Sequence, residues 1–235
     1  MHAVILAGGK GTRLRPYTTV LPKPLMPIGD MPVLEVVLRQ LKRNGVNQVT
    51  LAVSYLAELV EAYCGDGSRF GLDLRFSRED KELSTAGPLK LVKGLTDTFL
   101  TMNGDILTTL DYRALVEHHR REKAAATIAV HRRTVQIDYG VIEADTEGRL
   151  ARYIEKPEYH YRVSMGVNVF EPSVLDHIQD GERLAIPDLM LRLTAAGKRV
   201  STFESDCLWL DIGRPEDHEK AVELFDSMRA TFLGD

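Results

Sequence analysis

The chain has 235 residues, 44% of them hydrophobic, enough to bury a sizeable core and better suited to one large domain (1–235) than to two independent ones. Its 30 basic and 34 acidic residues give a net charge of −4, which speaks against a general nucleic-acid surface and leaves any phosphate binding to a few placed side chains. Two cysteines, Cys64 and Cys207, make neither a disulfide framework nor a metal spacing, and no apolar leader or run of about 18 apolar residues is seen, so a cytoplasmic protein with no membrane partner is expected.

Ala3 to Ala7 is a continuous apolar run of the kind that makes a buried parallel strand, and it stops at Gly8, Gly9 and Gly11. A bare loop at the carboxyl end of a first strand lies where open α/β sheets bind ligands. Leu6, Ala7, Gly8, Gly9 and Gly11 therefore form a candidate phosphate cradle of main-chain N–H groups, with Arg13 and Lys23 as flanking cations. The loop is not a Walker A motif, because Lys10 is followed by Gly11 rather than Ser or Thr. Nor is it a dinucleotide fingerprint, since Leu14 stands where the third glycine belongs.

Val33 to Lys42 carries a helical apolar stripe ended by Gly45, and Val49 to Val53 reads as a strand. A helix over Leu56–Tyr63, a turn at Gly65–Ser68, a half-buried strand over Leu72–Phe76 and a helical stretch over Gly87–Val92 follow. Thr98–Met102 is the next strand, ending at Asn103-Gly104-Asp105, which puts Asp105 in the same crevice as the glycine loop. Asp111–Lys123 reads as a charged amphipathic helix with a solvated outer face, His118 and His119 included. This alternation predicts a Rossmann-like, doubly wound, mostly parallel sheet.

From Ala125 the pattern changes to successive strands over Thr127–His131, Gly140–Glu143, Arg152–Ile154 and Met165–Phe170, which predicts an inserted mixed β lobe without a linker before it. A helix over Pro187–Ala196, a strand over Arg199–Phe203, the apolar stretch Leu208–Gly213 carrying Asp211, and a helix over Pro215–Phe225 complete the chain. Asp105 and Asp211, which this reading places on converging strand ends, are hard oxygen ligands suited to Mg²⁺, which keeps several waters and takes few protein ligands.

The string from Leu6 to Pro16 with Thr18, continued by Pro22-Lys23-Pro24-Leu25-Met26-Pro27, resembles the signature G-G-x-G-T-R-L-x-P-x-T and P-K-P-L-x-P of the sugar-1-phosphate nucleotidylyltransferases, the group of mannose-1-phosphate guanylyltransferases and glucose-1-phosphate thymidylyltransferases. The resemblance runs from Met1 to about Phe225, and these residues show no hexapeptide repeat, so a short form without a C-terminal β-helix is expected. It implies a nucleotide-binding part over about 1–123 and a sugar-binding part with a closing helix over about 124–235. It also implies that Asp105 and Asp211 hold the catalytic metal, through motifs resembling N-G-D and W-x-D-I-G.

Chemically, Arg13 suits the β- and γ-phosphates as a planar bidentate donor, and Lys23, stiffened by Pro22 and Pro24, suits the charge that develops at the α-phosphate. Arg13, Lys23 and Asp105 are thus the candidate catalytic residues. Thr12 falls within the resembling loop. Glu79, Thr85, Ala86 and Gly87 match the base-binding segment usually written L-G-T-A-G, with Ser84 in place of its first glycine, which implies a changed turn. A carboxylate at Glu79 can accept from the two adjacent donors of guanine, which favours GTP, and Glu82 is a second candidate.

Glu155-Lys156-Pro157 matches the E-K-P motif in which the glutamate binds sugar hydroxyls and the lysine the sugar phosphate, and Gly140 matches a glycine that lets the sugar lie against the backbone. Ser164 and Asn168 stand in Ser164-Met165-Gly166-Val167-Asn168 where many hexose enzymes have N-A-G-I-Y, which leaves the sugar open to a heptose or an amino sugar. The expected substrates are a nucleoside triphosphate and a sugar 1-phosphate, with GTP and mannose 1-phosphate or a related hexose or heptose 1-phosphate as the leading pair, and a homo-oligomer is compatible with the resemblance. The alternatives are a thymidylyl-, uridylyl- or cytidylyltransferase acting on glucose 1-phosphate, an amino sugar 1-phosphate or phosphocholine, and, in another class, a non-catalytic nucleotide-sugar sensor.

Overall fold

A computed structural model describes residues 1–234. In chain order the elements are β1 (His2–Leu6), β2 (Pro27–Ile28), β3 (Met31–Pro32), α1 (Val33–Arg43), β4 (Gln48–Val53), α2 (Ala57–Cys64), β5 (Asp73–Arg78), β6 (Phe99–Asn103), β7 (Ile106–Thr108), α3 (Tyr112–Glu122), β8 (Ala126–Gln136), β9 (Val141–Ala144), β10 (Leu150–Ile154), β11 (Glu158–Phe170), α4 (Ile186–Ala195), β12 (Val200–Glu204), β13 (Trp209–Asp211), α5 (Pro215–Ser227) and α6 (Arg229–Leu233). Short 3₁₀ turns fill several connections, among them Thr12–Leu14, Lys23–Leu25 and Gly87–Leu91.

Seven strands form the central sheet in the order β12-β8-β11-β6-β1-β4-β5. β11 alone runs against its neighbours, and every other pairing in the sheet is parallel. The mostly parallel, doubly wound α/β sheet expected from the alternating pattern is therefore observed. Burial on both faces explains the unbroken apolar run of β1: Ala3 and Ile5 join a core with α1, α2, α5 and α6, while Val4 faces a second core with Leu89 and α4.

Two expectations change. The strands predicted at Thr127–His131 and Met165–Phe170 belong to the central sheet, so the added lobe is smaller than the shift at Ala125 suggests. β8 and β11 are long, 11 and 13 residues, and each is buried in one half and exposed in the other. Their outer halves pair as a ribbon, Glu158 opposite Gln136 through Val163 opposite His131, and carry the β9–β10 hairpin.

The second change concerns α3. His119 is buried, its Nδ1 2.8 Å from Thr127 Oγ1 and its Nε2 3.1 Å from a Glu171 carboxylate oxygen, whereas His118 stays nearer the surface beside Ser201. Tyr112, Leu115, Val116 and His119 make one helical stripe, so the imidazole sits on the face that docks onto the sheet. Burial, the largest influence on it, holds the His119 pKa below the ordinary histidine value despite Glu171, and burial does the same to His2.

A histidine whose folded pKa is depressed binds its proton more readily when unfolded. Its stabilising contribution is complete above about pH 6.5 and is lost as the pH falls through the folded value. The urea midpoint should therefore decline between about pH 7.5 and 5.5, and His119→Gln should flatten that decline whatever its effect at neutral pH; an unchanged slope would remove His119 as its cause.

Candidate active site

The site lies at the carboxyl ends of β1, β4, β5 and β6, where successive strand ends deliver Leu6 to Gly8, Ser54, Glu79 and Asn103 to one cleft of about 660 Å³. The glycine loop forms one wall. Gly11 has φ +58°, the left-handed region, and a Cβ there would stand 2.9 Å from Thr18 Cγ2. Thr18, itself buried, donates to the Gly11 carbonyl at 2.7 Å, so the loop is tied from behind. Leu6, Ala7, Gly8, Gly9, Gly11, Thr12 and Arg13 all line the cleft.

On the opposite side, Gly104 lets the Asn103-Gly104-Asp105 turn close onto β1. Its amide donates to Leu6 O at 3.0 Å, and an added Cβ would press on Ile5, Leu6 and Pro24 at 3.2–3.3 Å. Asp105 is thereby delivered to Lys23, with which it forms a close ion pair, and the same ammonium lies 3.8 Å from Asp211 Oδ1. β13 reaches this point by pairing antiparallel with β7, Asp211 opposite Ile106. The two aspartates do converge, and Arg13 packs beside Gly213 just beyond them.

A second cavity of about 280 Å³ adjoins the first, and Thr85 and Asn103 line both. Its walls include Ser164, Met165, Gly166 and Asn168 from β11, Ile186 and Pro187 from α4, and Trp209 and Asp211 from β13. A break in register between Ser164 and Asn168 bulges β11, with Gly166 at φ +71° against Asn103. Trp209 Nε1 donates to the Met165 carbonyl at 3.0 Å and holds the bulge in place.

Partial desolvation in the cleft, then the neighbouring Asp105 carboxylate, lifts the pKa of Asp211 above the ordinary value although its side chain is nearly half exposed, and Lys23 and Arg13 oppose the lift. Burial also raises Glu79, against the Leu83 amide that donates to its Oε2 at 3.0 Å. Asp105 Oδ1 and Asn168 Oδ1 are both buried without a hydrogen-bond partner among the described residues. An acceptor left unpaired in this way is a place for a ligand's donor or a cation.

Not every candidate reaches the cavities. Glu79 and Thr85 line the larger one, but Ala86 and Gly87 turn inward: both amides donate to Leu184 O, at 2.8 and 3.1 Å, and both residues are buried. Ser84 lines the larger cavity beside Thr85. It adopts φ +65°, the left-handed conformation that a glycine would take freely. Glu155 and Lys156 are exposed at the end of β10 and line neither cavity, and the space beside Gly140 is filled by the Tyr153 phenol, 2.5 Å from where a Cβ would stand.

Other lining residues were not predicted. Ser54 could have been found from its place just after a buried strand, whereas Ile186 and Pro187 carry no sequence signal for a cavity wall.

Fold and site together define a class: a doubly wound α/β protein with an anion-suited crevice at its strand ends, divided by a lysine and two aspartates. The chain belongs to the nucleotidyl transferase family, whose sequence model matches residues 2–227. It is 36% identical to a UTP–glucose-1-phosphate uridylyltransferase of Synechocystis sp., over 94% of this chain and 62% of the relative. It is 34% identical to a mannose-1-phosphate guanylyltransferase of Mycobacterium tuberculosis, over 92% of this chain and 62% of the relative. The chain thus spans less than two thirds of the length of these curated relatives. Among solved structures, HddC from Yersinia pseudotuberculosis superposes with a TM-score of 0.74 at 25% identity, covering 95% of this chain and 99% of that one. Among the described residues, no helix is long and apolar enough to cross a membrane.

An aspartate whose ionised form its surroundings disfavour gives the ligand-free fold no support at neutral pH, an effect that solvent screens at a side chain nearly half exposed. Asp211→Asn should therefore leave the melting temperature measured in EDTA at about pH 7 equal or slightly higher, and a lower melting temperature would contradict this account of its environment.

Proposed function

We propose that the chain joins a nucleoside triphosphate to a sugar 1-phosphate, giving a nucleotide-sugar and pyrophosphate. The supporting observation is the arrangement of the cavities: they share a wall, Asp105 lines one and Asp211 the other, and Lys23 contacts both carboxylates. Two anions bound in adjoining cavities would meet at that junction, where their mutual repulsion must be cancelled.

Main-chain N–H groups of the glycine loop and the Arg13 guanidinium would hold the triphosphate, with Arg13 on the departing pyrophosphate. Lys23 would neutralise charge developing at the α-phosphate. The attacking oxygen of a sugar phosphate is already an anion at neutral pH, so in-line displacement needs no general base and no covalent enzyme intermediate. Asp105 and Asp211 fit a divalent cation: both are hard oxygen donors, and Asp105 Oδ1 is buried with no hydrogen-bond partner among the described residues, an acceptor that a cation would satisfy. When bound there, Mg²⁺ would supply further charge neutralisation at the phosphate oxygens. Asn168 and Ser164 would accept and donate to sugar hydroxyls in the smaller cavity.

GTP with mannose 1-phosphate, or a related hexose or heptose 1-phosphate, is the leading pair. Glu79 supports the base assignment, since its carboxylate borders the larger cleft and guanine offers it adjacent donors.

A matrix of nucleoside triphosphates against sugar 1-phosphates with Mg²⁺, read by pyrophosphate release, should give turnover that is highest for this pair; release with none of the combinations would defeat the proposal. Asp105→Asn and Lys23→Ala should each lower turnover by at least about 10²-fold while circular dichroism stays native, and near-normal rates in both would remove their assigned roles.

A further inference from the structure

The loop that follows β5 and lines the larger cleft is joined along its length to a segment from the other half of the chain. Leu184 N donates to Leu83 O at 3.1 Å, and Leu184 O accepts from Ala86 and Gly87. Gly87 lies so close to this segment that a Cβ would stand 2.4 Å from the Glu182 carbonyl. At the outer end, Arg183 pairs with Glu82 at 3.1 Å. Residues 81–87 and 181–186 form a clasp.

The clasp ends at the start of α4. A helix leaves its first N–H groups without internal partners, and a side-chain oxygen at the cap normally accepts from one of them. Here the cap position is Ala185, which has no such oxygen. The acceptor comes from across the molecule: Ile186 N donates to Thr85 Oγ1 at 2.9 Å. Ile186 and Pro187 wall the smaller cavity and not the larger one, whereas Thr85 lines both. Arg192, further along α4, grips Glu182 at 2.6 and 2.9 Å and the His177 carbonyl at 2.7 Å, so helix, turn and loop are tied into one body.

We propose that Thr85 is a positioning residue that couples the two cavities, so that nucleotide held against the 79–85 loop orders the α4 wall of the smaller cavity through the Thr85–Ile186 hydrogen bond. This rests on the two-substrate reading above. The physical basis is entropic: once one ligand has stilled the shared body, the second has less ordering left to do.

Calorimetry with mannose 1-phosphate, in the absence and presence of saturating non-hydrolysable GTP analogue, measures the coupling. The wild type should bind the sugar phosphate at least about 5-fold more tightly with the analogue present. Thr85→Val, which keeps the shape and removes the hydroxyl, should bring that factor below about 2, and Thr85→Ser should restore it. Hydrogen exchange reports on the clasp itself: the analogue alone should slow exchange across residues 184–190 in the wild type and not in Thr85→Val, and the ligand-free Thr85→Val protein should exchange faster there than Thr85→Ser.

Equal affinity with and without analogue in the wild type, or full coupling retained in Thr85→Val, overturns the proposal. Failure of the wild type to bind either ligand instead defeats the two-substrate reading and takes the coupling with it. Should Thr85→Val not fold, the wild-type exchange experiment decides alone, and no slowing at 184–190 rejects the coupling.

Discussion

One lysine and two aspartates fix how the rest of the molecule must be arranged. Asp105 comes from the first half of the chain and Asp211 from the last strand, and like charges brought this close oppose each other unless a cation stands between them. Lys23 is that cation here, on a short turn between two prolines. The cluster joins the carboxyl end of the parallel strands to the β7–β13 pair and so marks the seam between the two cavities. Desolvation in the cleft and the Asp105 charge both raise the pKa of Asp211, against Lys23 and Arg13.

Much of this was legible because the signals are local and short-ranged. A continuous apolar run in β1 announces burial on both faces, and glycines directly after it announce a loop that backbone can line. Asp105 follows the same logic one strand over. The alternation of strand and helix through the first half gives the parallel sheet without knowledge of any contact.

What stayed hidden depends on distance along the chain. The clasp on residues 81–87 uses Glu182, Leu184 and Ile186, about a hundred positions away, so Ala86 and Gly87 read as cavity residues when their amides in fact serve Leu184. Ser84 holds a left-handed backbone, a conformation that a serine does not announce in the sequence as a glycine would. His119 shows that charge along a helix is a poor guide to its buried face when an imidazole can satisfy both ring nitrogens inside the protein. The lobe was overdrawn because one strand can begin in the core and finish in water.

That last property divides labour within β8 and β11. β11 meets β6 only over Val167–Phe170, and the bulge at Ser164–Asn168 separates this inner stretch from the ribbon that carries the hairpin. The bulge absorbs the difference in register between the two stretches. Remodelling of the hairpin between Gln136 and Glu158, by insertion, shortening or wholesale replacement, would be felt in the ribbon and stop at the kink. The outer surface is free to diverge while the sheet beneath keeps its alignment, so variety at the tip need not be bought with stability at the root.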